Sequence, residues 1–147
     1  MAEEGTHYAA TATWVDGLRF VAQAQLSGVA TVLDGAPEVG GTGAGMRPME
    51  ALLTSLICCT GMDVISILKK MRQRVTGFQV HARGDRQDAH PRIFTDIELE
   101  FVVRGWDISE DSVARAVELS QTKYCGVTNS LKSNVTYTYR IEAEQQV

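Results

Sequence analysis

At 147 residues, with 44% hydrophobic and 22% charged residues and only 3 prolines, the chain has the composition of one ordinary globular domain, and a single domain over residues 1–147 is the expectation. Fourteen Lys+Arg against eighteen Asp+Glu give a net charge of -4, which removes the electrostatic footprint of a nucleic-acid or anionic-lipid binder. The N-terminal stretch MAEEGTHYAATATW has neither the basic flank nor the apolar core of a secretory signal, and no apolar run is read as approaching a membrane span, so a cytoplasmic protein without a membrane or nucleic-acid partner is expected. Three cysteines are an odd number and far too few for a disulfide scaffold. In a reducing compartment they default to thiols.

Residues 7–15 and 18–26 alternate apolar and polar side chains on either side of Asp16-Gly17, the signature of a hairpin turn between antiparallel strands. Ser27-Gly28 turns the chain again into a third strand over 29–34. The glycine-dense segment 35–45 reads as a flexible surface loop leading to Pro48, a residue suited to the first turn of a helix. From about Pro48 to Arg72 apolar residues recur at helical spacing, broadly enough in the first half to predict burial almost all round. Residues 75–84 and 92–105 predict a second hairpin across the polar loop 85–91. Ser109, with acidic residues just after it, opens a helix predicted over 109–125, and the last strand falls at 135–142. The order βββ-α-ββ-α-β defines an α+β protein with antiparallel sheets packed on a long central helix.

Few motifs carry chemistry. Gly41, Gly43 and Gly45 miss the dinucleotide-binding spacing because Met46 stands where the last glycine belongs, and no phosphate-binding Gly-Lys-Ser/Thr occurs. His7, His81 and His90 are scattered without ligand spacing, so neither a metal nor a bound cofactor is expected. Cys58 and Cys59 sit side by side on the predicted central helix and, at 100° per residue, point in different directions. Cys59 shares a face with Ser55, Leu56, Met62 and Asp63; Cys58 stacks with Thr54, Ser55, Gly61 and Met62. By residue type alone both read as small core side chains, and Cys125, next to Gly126, reads as a residue at the C-terminal end of its helix.

The runs RPMEALLTSLICCTGMDVISILKKMRQ (47–73), GDRQDAHPRIFTDIELEFVVRG (84–105) and VELSQTKYCGVTNSLKSNVTYTY (117–139) together resemble the OsmC/Ohr family, the osmotically inducible and organic hydroperoxide resistance proteins, in its general OsmC-like branch. The resemblance implies an intertwined homodimer with its sites at the subunit interface. It also implies a thiol-dependent peroxidase that reduces organic hydroperoxides and hydrogen peroxide. Pro48 and Glu50 match the family's Pro-x-Glu, Cys59 matches the peroxide-attacking cysteine and Cys125 the resolving one. Cys58 falls where the family usually has a small residue, and Gly126 where the Ohr branch usually has proline.

Those residue types suit the chemistry. A thiolate that attacks a peroxide oxygen releases alcohol or water and becomes a sulfenic acid, and a second thiol condenses with it to a disulfide before overoxidation. An external dithiol, of lipoyl type by the resemblance, must then reopen the disulfide. Cys59 lies about three turns into its helix, where the macrodipole has faded, so its thiolate needs a nearby cation. The family draws that cation from an arginine in the N-terminal half, held by the Pro-x-Glu glutamate, and the segment 32–41 where many members carry it has none. Arg47 and Arg86 are the leading candidates, with Arg83 beside Arg86 and Arg19 last.

Nine helical steps put Glu50 and Cys59 on opposite sides of one helix, about 13 Å apart along its axis. Glu50 is therefore expected to serve the Cys59 of a second subunit across a two-fold interface. An apolar pocket from Leu52, Leu56 and Met62 is expected to accept the hydroperoxide. The rival expectation is an OsmC-like dimer that binds an apolar ligand or senses oxidants without efficient turnover, favoured by the missing arginine.

Overall fold

The computed structural model describes residues 5–146; the acidic first four residues of the N-terminal stretch lie outside them. The chain divides into two compact units, one ending at Leu52 and the next beginning at Leu53.

The first unit is an antiparallel meander of β1 (Ala10–Asp16), β2 (Arg19–Ala24) and β3 (Ala30–Leu33), in that order across the sheet. Asp16 pairs with Arg19, so the hairpin turns on Gly17-Leu18, with Gly17 at φ +50°, one residue later than the dipeptide signal suggests. Trp14 donates its indole N–H to the Gly17 carbonyl at 3.0 Å, which fastens the turn.

Segment 35–45 is not the loose loop its composition suggests. Asp34, 2% exposed, accepts hydrogen bonds from the Gly35 N–H (2.7 Å), the Thr42 N–H and hydroxyl (3.2 and 2.5 Å) and the Ala44 N–H (3.2 Å). The loop winds around one carboxylate. This winding is tight enough that a Cβ at Gly41 would fall 1.9 Å from the Gly35 carbonyl oxygen, so glycine is required there for space. Hydrogen bonding, the Thr42 hydroxyl foremost, holds the Asp34 carboxyl below its ordinary pKa, against the opposing effect of burial.

The second unit is a three-stranded sheet in the order β4 (Arg74–Arg86), β5 (Phe94–Trp106), β6 (Asn134–Ala143). Central β5 carries the core: Phe94, Ile97, Leu99, Phe101 and Val103 are buried, and each fully buried side chain of that size contributes about 1.5–3 kcal/mol. Residues 135–142 do form the last strand, but it runs parallel to β5, whereas β4 is antiparallel to it. The all-antiparallel expectation is corrected here, because a helical crossover between β5 and β6 returns the chain to the end of the sheet where β5 began.

The long helix α1 (Pro48–Lys70) begins in the first unit and continues through the second. By length and composition it is apolar enough to cross a bilayer, against the expectation that no run approaches that length. Only one stripe of it is buried, Leu56, Thr60, Val64 and Leu68 at a regular four-residue interval, and the expected burial almost all round its first half is not found, since Thr54, Ser55 and Cys58 are exposed. The crossover departs from a single helix over 109–125. Helix α2 (Glu110–Leu119), capped by the Ser109 hydroxyl accepting from the Ser112 N–H, gives way to a π turn over Ser120–Tyr124 and a short helix α3 (Gly126–Ser130). That break turns Ser120, Gln121 and Cys125 inward.

Candidate thiol site

On α1, Cys59 and Asp63 are four residues apart and so lie one above the other on one face. The π turn delivers Cys125 to that face: the Cys59 sulfur, an Asp63 carboxylate oxygen and the Cys125 sulfur all lie within 4.8 Å of one another. All three cysteines are free thiols, with Cys58 exposed, Cys59 half-buried and Cys125 fully buried. Periodicity gave no sign that Cys59 and Cys125 would meet, since they are far apart in sequence and on different helices. The unpaired face of Cys58 follows directly from the 100° step.

A buried polar chain supports the site. Ser120 donates its hydroxyl proton to Asp63 Oδ2 at 2.9 Å, so the 2.7 Å bond between Thr60 Oγ1 and Ser120 Oγ takes its proton from Thr60. The Gln121 side-chain amide donates to Thr60 Oγ1 at 2.8 Å, and the Gln121 carbonyl oxygen stands 3.3 Å from the Thr128 hydroxyl. The Gln121, Thr60 and Ser120 donors thus follow one another toward Asp63. Thr128 also presents its N–H and its hydroxyl to the Cys125 sulfur, at 3.4 and 3.2 Å. Burial pushes the Cys125 thiol pKa up; the two Thr128 donors oppose that and the neighbouring Cys59 adds to it. Cys125 is thus held as a neutral thiol around neutral pH. Asp63, Thr60, Ser120 and Gln121 were not singled out for function in the sequence, although the shared face of Cys59 and Asp63 was readable there.

The remaining expected site residues are engaged elsewhere in the chain. Glu50 accepts the Arg47 backbone N–H at 3.2 Å, satisfying one of the free donors at the start of α1. Arg47 itself is exposed. Arg86 donates its Nε to the Arg92 carbonyl at 2.7 Å and so closes the β4–β5 loop, while Arg83 pairs with Asp85 at 3.9 Å. Arg19 pairs with Asp16 at 3.1 Å. Among the described residues no salt bridge reaches Asp63. Leu52 is half-buried, and Leu56 lies wholly inside the core. Met62 is 69% exposed and lines a shallow apolar groove of about 320 Å³ with Ile57, Cys58, Gly61, Ile65, Phe78 and Val80. It is Cys58, not Cys59, that borders this groove.

The fold and site together define an α+β unit in which a central helix and a broken crossover helix bring two free thiols together. Residues 41–140 match the family model of the OsmC-like proteins, and the chain belongs to that family. It is 39% identical over 132 residues to "Protein YhfA" of Escherichia coli (strain K12), an alignment covering 88% of this chain and 95% of that protein. The fold is shared with a hypothetical protein from Aquifex aeolicus VF5, at 27% identity and a TM-score of 0.84 over 96% of this chain and 100% of that one. It is also shared with a protein from Legionella pneumophila described as an organic hydroperoxide resistance protein OsmC, at 13% identity and a TM-score of 0.70 over 95% and 98%.

Proposed function

We propose that the protein is a thiol-dependent peroxidase of organic hydroperoxides and hydrogen peroxide, working in the cytoplasm as a homodimer. The observation that carries this reading is the mutual approach of the Cys59 and Cys125 sulfurs within 4.8 Å, the first half-buried and the second buried and protonated. The Cys59 thiolate attacks the terminal peroxide oxygen, the O–O bond breaks, and the departing alkoxide takes a proton to leave as alcohol or, from hydrogen peroxide, water. Cys59 is then a sulfenic acid. The Cys125 sulfur displaces its hydroxyl, which leaves as water with the Cys125 proton, and a Cys59–Cys125 disulfide forms. A lipoyl-type dithiol reopens it by exchange. No bound cofactor is required.

The thiolate needs a cation. Arg47 and Arg86 are the proposed sources, with Glu50 of a second subunit orienting the guanidinium and the half-buried Leu52 and exposed Met62 supplying apolar surface for the alkyl group, whereas Leu56, wholly buried, offers none. The reading predicts that turnover of cumene hydroperoxide with a dihydrolipoyl donor vanishes in Cys59→Ser. In Cys125→Ser one equivalent of hydroperoxide is consumed and the sulfenic acid then overoxidises, while Cys58→Ser keeps near-normal turnover. Rapid turnover in Cys59→Ser, or equal loss in Cys58→Ser and Cys59→Ser, overturns the assignment.

One observation favours a second reading, a dimer that binds an apolar ligand or senses oxidants without efficient turnover. Among the described residues the group beside the two sulfurs is a carboxylate, and no ion pair brings a guanidinium to it. In that case one disulfide forms per chain and dithiol-driven cycling is slow.

A further inference from the structure

The thiol site holds two groups that become anionic and one that is ordinarily anionic, with no positive side chain paired to them among the described residues. A half-buried carboxylate with a single hydroxyl donor leaves most of its acceptor capacity unused. Either protons or a cation must balance such a cluster. We propose that Cys59, Asp63 and Cys125 together bind a thiophilic divalent cation of the zinc class, with water as the fourth ligand.

The geometry suits that ion. Tetrahedral zinc with sulfur at about 2.3 Å and carboxylate oxygen at about 2.1 Å needs ligand atoms roughly 3.6–3.8 Å apart. The three atoms here lie within 4.8 Å of one another, so a contraction of at most about 1 Å closes the site. Cys59 and Asp63, four apart on α1, offer two ligands from one rigid helix face, and Cys125 approaches from the crossover. The surroundings are those of a metal thiolate. Thr128 gives two donors to the Cys125 sulfur, and Ser120 holds one Asp63 oxygen while the other stays available. Two thiolates with one carboxylate favour zinc over magnesium or calcium, which take oxygen ligands alone.

Zinc takes both sulfurs as thiolates, so its binding displaces the thiol protons. The bound form has no free thiolate for a peroxide. Conversely, a hydroperoxide that takes two electrons from the sulfur pair, and two protons, leaves a disulfide, an alcohol and water, and the cation loses both sulfur ligands. Metal occupancy and disulfide formation are then mutually exclusive.

The inference rests on the same thiol pair as the peroxidase reading, but its test uses no peroxide. Metal-free protein kept reduced with a phosphine is titrated with Zn²⁺ against a chromophoric chelator, and with Co²⁺ for the visible bands and sulfur-to-cobalt charge transfer of a tetrahedral thiolate site. The expected result is one equivalent per chain with release of the thiol protons. Affinity should fall about 100-fold or more in Cys59→Ser and in Asp63→Asn, since loss of outer-shell partners alone costs about 10–100-fold. Cys58→Ser should bind as the wild type does. Both ligand variants sit at half-buried positions, and circular dichroism checks that they fold. Absence of one-equivalent binding, or wild-type affinity in either ligand variant, overturns the proposal. Zinc binding without hydroperoxide turnover would leave this inference standing and remove the peroxidase reading; turnover without zinc binding would do the reverse.

Discussion

Each of the two units holds one aspartate that a neighbouring hydroxyl binds, and the two are treated in opposite ways. Asp34 receives four donors from its own loop, so its capacity is nearly exhausted and it has nothing left to offer a ligand. Asp63 receives one, from Ser120, and faces two thiols. The number of donors separates a carboxylate that organises backbone from one left open for chemistry. The glycine loop, the more conspicuous of the two in the sequence, proves to be architecture, and the helix face with one quiet aspartate holds the thiols.

The comparison breaks most visibly at Asp34. Asparagine keeps one acceptor oxygen and turns an NH₂ group toward N–H donors, so Asp34→Asn should unfasten residues 35–45 altogether. Amide exchange at Thr42 and Ala44 is expected to rise to the rate of an unprotected loop; retained protection would show that the carboxylate is dispensable. The same group gives the first unit an acid limit. Its folded pKa is lowered below its unfolded value of 3.8, so its contribution is complete above that value and is lost as pH falls through the lower, folded one. Protection at Thr42 and Ala44 should therefore hold above about pH 4 and fail in more acidic solution.

Next in size is the buried chain under Asp63. Ser120→Ala removes the donor to Asp63 and the acceptor for Thr60, both without access to water at Ser120, and should cost about 1–3 kcal/mol in urea unfolding. Pairing it with Thr60→Val should cost less than the two single changes summed, because the partners are removed together. Strict additivity would mean that the chain is not a coupled unit.

How much of this was readable in advance follows the range of each interaction. The strands, their order and the start of α1 came from local alternation and from Pro48, and they agree with the structure to within a few residues. The face shared by Cys59 and Asp63 came from a single helix and needed nothing distant. The parallel pairing of β6 was not visible, because strand direction is set by the crossover and not by the alternation within VTYTYRIE. Nor was the π turn, since SQTKY carries no glycine or proline to break a helix; it is paid for by the buried bonds of Ser120 and Gln121. Asp34 was hidden for a similar reason, as its donors lie in a loop whose glycines signal only freedom. The approach of Cys59 to Cys125 entered through family resemblance, and no spacing rule would have supplied it.

The smallest expected effect tests the face of α1 that the thiols do not use. Gly61 lies mid-helix beside the apolar groove, where glycine costs roughly 0.5–1 kcal/mol relative to alanine. A Cβ there would stand 3.5 Å from Val80 Cγ2 and 3.8 Å from the Phe78 ring, both ordinary van der Waals distances. Gly61→Ala should therefore raise stability by up to about 1 kcal/mol without disturbing Cys59, because positions 59 and 61 point about 160° apart around the helix. Urea unfolding and the rate of hydroperoxide-driven disulfide formation, measured on the same variant, separate the two effects. A more stable protein with an unchanged rate keeps the groove and the thiol site independent. A slowed rate would mean that the apolar groove beside Cys58 takes part in the chemistry of Cys59.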